Sequence, residues 1–427
     1  MMLEGPAVQG AIGRLPFPDI NLAAFGLMLH LSLLIESPVI MLLATAIALV
    51  KDANSFYAVR KFTLHLAVGC TLITALVAFT PLFDFIVSSV MNVPPPIVAA
   101  ARMPMRIMLL WTAAIAWRRY YQGVLVTSGR ARMVSWGTAI RLGSALITSI
   151  ALANWGGLPG AAVGACALMV AVITEAIATT GFAAPVIRKE VLPRKPAENP
   201  LTQKRILQFH APLMATTLLT LLAQPVTSAA LAHLAHPERT LAASPVTFMI
   251  LLVMRGWGLA LQEITVAQAG HPDSRETLKQ FAWIVGGTTT AVTALIVFSP
   301  LLGLYLRHII HLRPYLFDYV QIGVTVGMTM PLITALGSWA RGVLVAAGRT
   351  NIVYRGMGIN LATHALLLVI SVKLQLPGMP AASAAFTLAA VVEYVFLARN
   401  AAAATASLPQ PVAEIASEEP LLAAPAD

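Results

Sequence analysis

Charge is scarce in this chain. Asp, Glu, Lys and Arg make up only 11% of its 427 residues, whereas soluble domains carry roughly 25%. That deficit excludes an ordinary water-soluble enzyme. Cysteine is almost missing: Cys70 and Cys166 both sit inside apolar runs, which leaves no zinc spacing and no disulfide framework. There is no glycine-rich phosphate loop with its lysine, which argues against ATP-driven pumping. The first residues lack the charged start and continuous apolar core of a cleavable signal peptide. No cofactor is expected.

Hydrocarbon is what the chain has in abundance. It is 58% hydrophobic, with a mean hydropathy of +0.79. The expectation is an all-α polytopic membrane protein in a plasma or bacterial inner membrane. A spanning helix needs about 20 mostly apolar residues. Eleven such runs occur: 21–50, 62–90, 97–117, 133–153, 160–186, 206–231, 241–269, 280–306, 316–340, 352–372 and 379–398. The net charge of +10 is not read as a nucleic-acid footprint, because excess Lys and Arg in a membrane protein gather in cytoplasmic loops. Membrane lipid is the expected surrounding partner.

One octapeptide occurs twice. Gly123-Val124-Leu125-Val126-Thr127-Ser128-Gly129-Arg130 returns as Gly342-Val343-Leu344-Val345-Ala346-Ala347-Gly348-Arg349, six of eight residues identical, at an offset of 219. The same offset aligns Pro6 with Pro225, Pro18 with Pro237, Pro81 with Pro300, Pro95 with Pro314 and Gly137 with Gly356. Prolines and glycines mark bends and close contacts rather than greasiness, so their recurrence carries more weight than that of leucines. The pattern predicts a duplicated lobe: a first lobe over 1–186, a linker over 187–205, a second lobe over 206–399 and a disordered tail over 400–427. The sixth run, 206–231, has only the end of a counterpart, Gly5 to Ile12. The expected full architecture is therefore twelve helices, six per lobe, with the first helix truncated.

Counted on that twelve-helix scheme, even-numbered loops hold eighteen Lys and Arg and odd-numbered loops seven. The even loops and the C-terminus are then cytoplasmic. An even helix count per lobe makes the two lobes parallel repeats about an axis along the membrane normal.

Two tandem six-helix lobes, each with a Gly-x-Leu-x-x-x-Gly-Arg turn after its fourth helix, resemble the multidrug/oligosaccharidyl-lipid/polysaccharide (MOP) exporter superfamily. Arg255-Gly256-Trp257 through Glu263 is similar to the progressive ankylosis branch. The major facilitator class is also built from two six-helix lobes, but its Gly…Asp-Arg loop is absent from Lys51-Asp52-Ala53-Asn54-Ser55-Phe56. The resemblance implies a monomeric secondary exporter working by alternating access, moving an organic or drug-like solute coupled to H⁺ or Na⁺. The alternatives are a flippase for a lipid-linked or phosphorylated anionic substrate, or a non-transporting relative. Drug exporters of this type carry a cation-binding acid on helix 1, or acids on helices 7 and 10. Here helix 7 has none and helix 10 only Asp318, near its start.

Intramembrane charges are costly in lipid and face a cavity or a partner. Glu36 in helix 2 is matched, at 36 plus 219, by Arg255 in helix 8. Two arrangements satisfy that reversal: an ion pair between the lobes, made in one access state and broken in the other, or pairing within each lobe, such as Glu36 with Arg141. Glu175 in helix 6 is a second coupling candidate, because low dielectric favours a carboxylate that can take a proton. Glu263 lies on the same face of helix 8 as Arg255, nearer the cytoplasm, and Glu393 is deep in helix 12. His30, His65, His210 and His364 are scattered, without metal-ligand spacing. Gly123, Gly129 and Arg130, with Gly342, Gly348 and Arg349, are read as helix-ending turns, or else as part of a cytoplasmic gate.

Overall fold

The computed structural model describes residues 4–194, 201–268 and 274–405. Eleven of its helices are long and apolar enough to cross a membrane. They follow a short first helix, α1 (Glu4–Gly13). In chain order they are α2 (Pro18–Leu49), α3 (Ala53–Phe79), α4 (Pro95–Thr127), α5 (Ala131–Trp155), α6 (Gly160–Val191), α7 (Gln203–Ala232), α8 (Pro237–Gln268), α9 (Ser274–Phe298), α10 (Pro314–Ala346), α11 (Thr350–Lys373) and α12 (Gly378–Thr405). The linker expected over 187–205 is helical at both ends. The expected disordered tail lies, from residue 406 onward, outside the described residues.

Several helices run beyond their apolar stretches. Asp52 starts α3 nine residues early with a capping box: its carboxylate accepts from the Ser55 amide at 2.7 Å while the Ser55 hydroxyl accepts from the Asp52 amide at 2.9 Å. α4 continues to Thr127 and α10 to Ala346, so Arg118, Arg119 and Arg341 are helix residues rather than loop charges. Ending the runs at residues 117 and 340, just before these arginines, misplaced them. The excess of basic residues in the even loops survives without these three.

The backbone carries the 219-residue offset in detail. Among the described residues every positive φ has a counterpart: Phe17 (53°) and His236 (54°), Asn92 (55°) and His311 (57°), Gly129 (72°) and Gly348 (71°), Gly156 (70°) and Gln375 (49°). Wide π-helical turns recur at Phe85–Val90 and Tyr305–Ile309, each just beyond Pro81 or Pro300. After Gly156 three residues precede α6, whereas two follow Gln375 before α12. From that point the correspondence runs at 218, and Glu175 in α6 matches Glu393 in α12.

Both octapeptides end their helices in the same way. Arg130 donates its amide to the Leu125 carbonyl at 2.9 Å and Gly129 to Val126 at 3.0 Å; Arg349 and Gly348 repeat this at 2.8 and 3.0 Å. This is a Schellman cap with glycine in the left-handed position. The first glycine of each copy serves close approach. A Cβ on Gly123 would sit 2.5 Å from Ala46 Cβ, and one on Gly342 the same distance from Thr265 Cβ. Small residues also let α6 meet α1 and α2: a Cβ on Gly164 would press on Phe25 and Ile12. α2 and α8 cross where Gly26 faces Pro245. Leu72, Ile147 and Ile177 lie exposed on the outside, as lipid-facing residues do.

Candidate functional site

Buried charge collects in two places, one in each half of the chain. In the N-terminal half the centre is Glu175, whose side chain is 0% exposed. Its Oε2 is 2.7 Å from Arg118 Nη1 and 3.5 Å from Arg141 Nη1, and its Oε1 accepts from Gln122 Nε2 at 3.0 Å. Arg141 also grips Glu4 of α1, with Nη2 and Nε at 2.8 and 2.9 Å from Oε2. Trp111 donates its indole N–H to Glu36 at 2.6 Å, and the Arg141 guanidinium lies 5.8 Å from the Trp111 ring centre. Arg118 and Gln122 reach this cluster because they lie two and three turns along from Trp111 on the inner face of α4, at helical spacings of seven and eleven.

The C-terminal half holds the corresponding set. Glu393 accepts from Arg341 Nε at 3.1 Å and from Asn360 Nδ2 at 2.9 Å. By the offset, Arg341 matches Gln122 and Asn360 matches Arg141, so each pair reaches its carboxylate from the same two directions. Arg255 occupies the place of Glu36, with its guanidinium 5.6 Å from the Phe386 ring centre and its Nε without a hydrogen-bond partner. These residues line a cavity of about 160 Å³ between α7, α8, α10, α11 and α12.

The expected residues are thus partly assembled. Glu175 and Arg141 share one cluster with Glu36 alongside; Arg255 sits in the other. Glu36 and Arg255 are not joined in this conformation, because each turns into its own half, towards an indole donor in one case and an aromatic face in the other. Glu263 is exposed and lines no cluster. Arg130 makes an exposed ion pair with Glu190 at 2.7 Å, a contact of small energy that ties the octapeptide turn to the end of α6. Glu4 and Arg118 went unrecognised in the sequence, the first because helix 1 reads as truncated, the second because it was counted in a loop. Their signal lay in helical spacing, not in hydropathy.

Three of the four scattered histidines are helix–helix ties. His30 Nδ1 lies 2.9 Å from Ser228 Oγ and His364 Nε2 2.8 Å from Thr227 Oγ1. His210 donates from Nε2 to the Pro38 carbonyl at 2.7 Å, next to the break in α2 at Met41, and its Nδ1 lies 2.7 Å from Thr45 Oγ1. A carbonyl can only accept, so this ring carries its proton on Nε2. Among the described residues no three His, Cys, Asp or Glu side chains gather as metal ligands do.

No family model matches this chain, and no curated protein matches its sequence. Solved structures do. An inward-facing multidrug resistance MATE family transporter of the MOP superfamily aligns at a TM-score of 0.71 and 14% identity, covering 96% of each chain. The lipid II flippase MurJ in an inward closed conformation aligns at 0.69 and 11% identity, over 95% of this chain and 87% of its own. A MATE family transporter in an outward-facing conformation aligns at 0.63 and 16% identity, over 95% and 93%. At these identities the likeness is one of fold: this all-α, multi-pass chain is built on the same helical framework as MATE and other MOP superfamily transporters.

Proposed function

We propose that the chain is a secondary active transporter of the MOP type, exporting an organic solute by alternating access with H⁺ or Na⁺ as the coupling ion. The observation that carries this reading is the whole-chain fit to transporters found in two access states, with the higher score for the inward-facing one. Two lobes, residues 4–186 and 206–399, related by an axis along the membrane normal, then rock against one another. Contact between Gly26 and Pro245 supports that axis, since position 26 plus 219 is 245 and equivalent points touch only near the axis relating them. The excess of Lys and Arg in the even-numbered connections supports a cytoplasmic side for them.

The N-terminal cluster is the coupling element of this reading. Arg141 is shared by Glu4 and Glu175, so a proton or cation arriving at either acid releases the arginine towards the other. Glu4 thereby puts an acid on helix 1, one of the two placements that the resemblance implies for drug exporters. The test is transport in proteoliposomes with a panel of cationic, neutral and anionic solutes, with and without an imposed proton or sodium gradient. Uptake of at least one solute that responds to one gradient is expected. Gradient-independent equilibration of every solute would refute coupled transport.

A further inference from the structure

The two polar clusters differ in one consistent respect. Where the N-terminal half has Trp111, Arg118 and Glu4, the C-terminal half has Met330, Gly337 and Ala223, each at plus 219 and each smaller. These three line the C-terminal cavity, so the space filled by an arginine and a glutamate in one half stands open in the other. At the same time Glu36 gives way to Arg255. Among the charged groups lining the cavity, Arg255 and Arg341 face one carboxylate, Glu393, which Arg341 and Asn360 already hold.

A guanidinium placed among membrane-spanning helices without a carboxylate of its own is expensive. The N-terminal half is balanced instead: Arg118 and Arg141 pair with Glu175 and Glu4, and Arg119, whose Nε is also unpartnered, has the third acid, Glu36, in its neighbourhood. Arg255 has the Phe386 ring beside it and an unpartnered Nε, and the carboxylate nearest to it, Glu393, is shared with Arg341. Space cleared and positive charge added at one point are what an acidic guest requires. Phe386, Tyr394, Met330 and Met357 supply the apolar and aromatic wall for whatever carries the acid.

We infer that the cavity between α7, α8, α10, α11 and α12 is a binding site for an organic anion, a carboxylate or phosphate on a short apolar or aromatic body, held by Arg255 with Arg341 beside it. Its volume, about 160 Å³, suits the head of such a molecule rather than a whole drug-sized ligand, which takes roughly 300 Å³ or more. As the site of a transported substrate this inference rests on the transporter reading; as a binding site it stands apart from it.

Thermal unfolding of the purified full chain tests it, with hexanoate, hexyl phosphate and hexylammonium as probes. The two anions are expected to raise Tm in a saturable way, and hexylammonium to leave it unchanged. In Arg255→Met the half-saturating anion concentration should rise about tenfold or more, the loss of a charge-assisted contact. The pair Ala223→Glu with Gly337→Arg, which refills the cavity as the other half fills it, should abolish the shift. An anion shift that survives in Arg255→Met, or an equal shift with hexylammonium, overturns the site. Nanodiscs separate two sources of the same chemistry. If a free anion is the guest, hexyl phosphate stabilises equally in zwitterionic and phosphatidylglycerol discs. If a lipid headgroup is, phosphatidylglycerol stabilises the wild type but not Arg255→Met and blocks hexyl phosphate. No stabilisation by any anion in either disc overturns the proposal. Binding without transport would leave the site standing and remove the transporter reading; transport without anion binding would do the reverse.

Discussion

Among the described residues Arg118 belongs to the most deeply buried ion pair, with a side chain 1% exposed against a Glu175 that is fully buried. Breaking such a pair by removing one partner costs about 3–5 kcal/mol, because a charge is left in low dielectric. Glu393 is held by an Arg341 that is 18% exposed and borders a cavity, so water can take up part of the loss. Glu175→Gln is therefore expected to lower Tm clearly more than Glu393→Gln in the same detergent. Equal losses, or the reverse order, would contradict the distinction between a filled and an open cluster. Glu36, Glu175, Glu393 and Arg141 were visible as intramembrane charges. Glu4, Arg118 and Arg341 were not, because the first lies on a helix that reads as partial and the other two lie just past the ends of their apolar runs. Only the packing reveals that an arginine inside the bundle has a carboxylate to meet.

The octapeptide shows what an element-scale motif does and does not say. Each copy ends a helix and lets another helix cross closely. Its two glycines do different work, and they predict different failures. Gly129 is at φ 72° with nothing near a would-be Cβ, so Gly129→Ala pays only for a left-handed backbone, about 1 kcal/mol. Gly123 has ordinary φ but no room, with Ala46 and the Leu43 carbonyl within 3 Å of a Cβ. Gly123→Leu must push α2 and α4 apart, at a cost of roughly 1–3 kcal/mol or more. Thermal unfolding of the two variants should rank them in that order. A milder Gly123→Leu would mean that the crossing is loose. Glycine identity could be read from the sequence; which of the two reasons applied to which glycine could not.

At the scale of the molecule, the reading of two rocking lobes makes a mechanical prediction. Gly26 and Pro245 meet in the N-terminal third of α2 and α8, the outer end on the proposed topology, with a would-be Gly26 Cβ 3.1 Å from Pro245 Cβ. Cysteines at both positions need only a few tenths of an ångström to reach disulfide spacing. Oxidation should lock the outer end closed and reduce transport in proteoliposomes to background, with recovery on reduction. Full transport by the oxidised protein would show that this contact does not separate during the cycle.

The sequence by itself determined the class and the plan: scarce charge and eleven apolar runs dictate a helical membrane protein, and a constant offset of prolines and glycines betrays the duplication. Those features are local, fixed by what a lipid-spanning backbone tolerates. The tertiary structure decided which charges meet. It drew Arg118 and Arg141 onto Glu175 and Glu4 onto Arg141, slipped the register by one residue before α12, and left Ala223 and Gly337 facing an open space beside Arg255. Such pairings depend on how helices far apart in sequence rotate and pack, and in a bundle that is settled by contacts between faces, not by the composition of any single run.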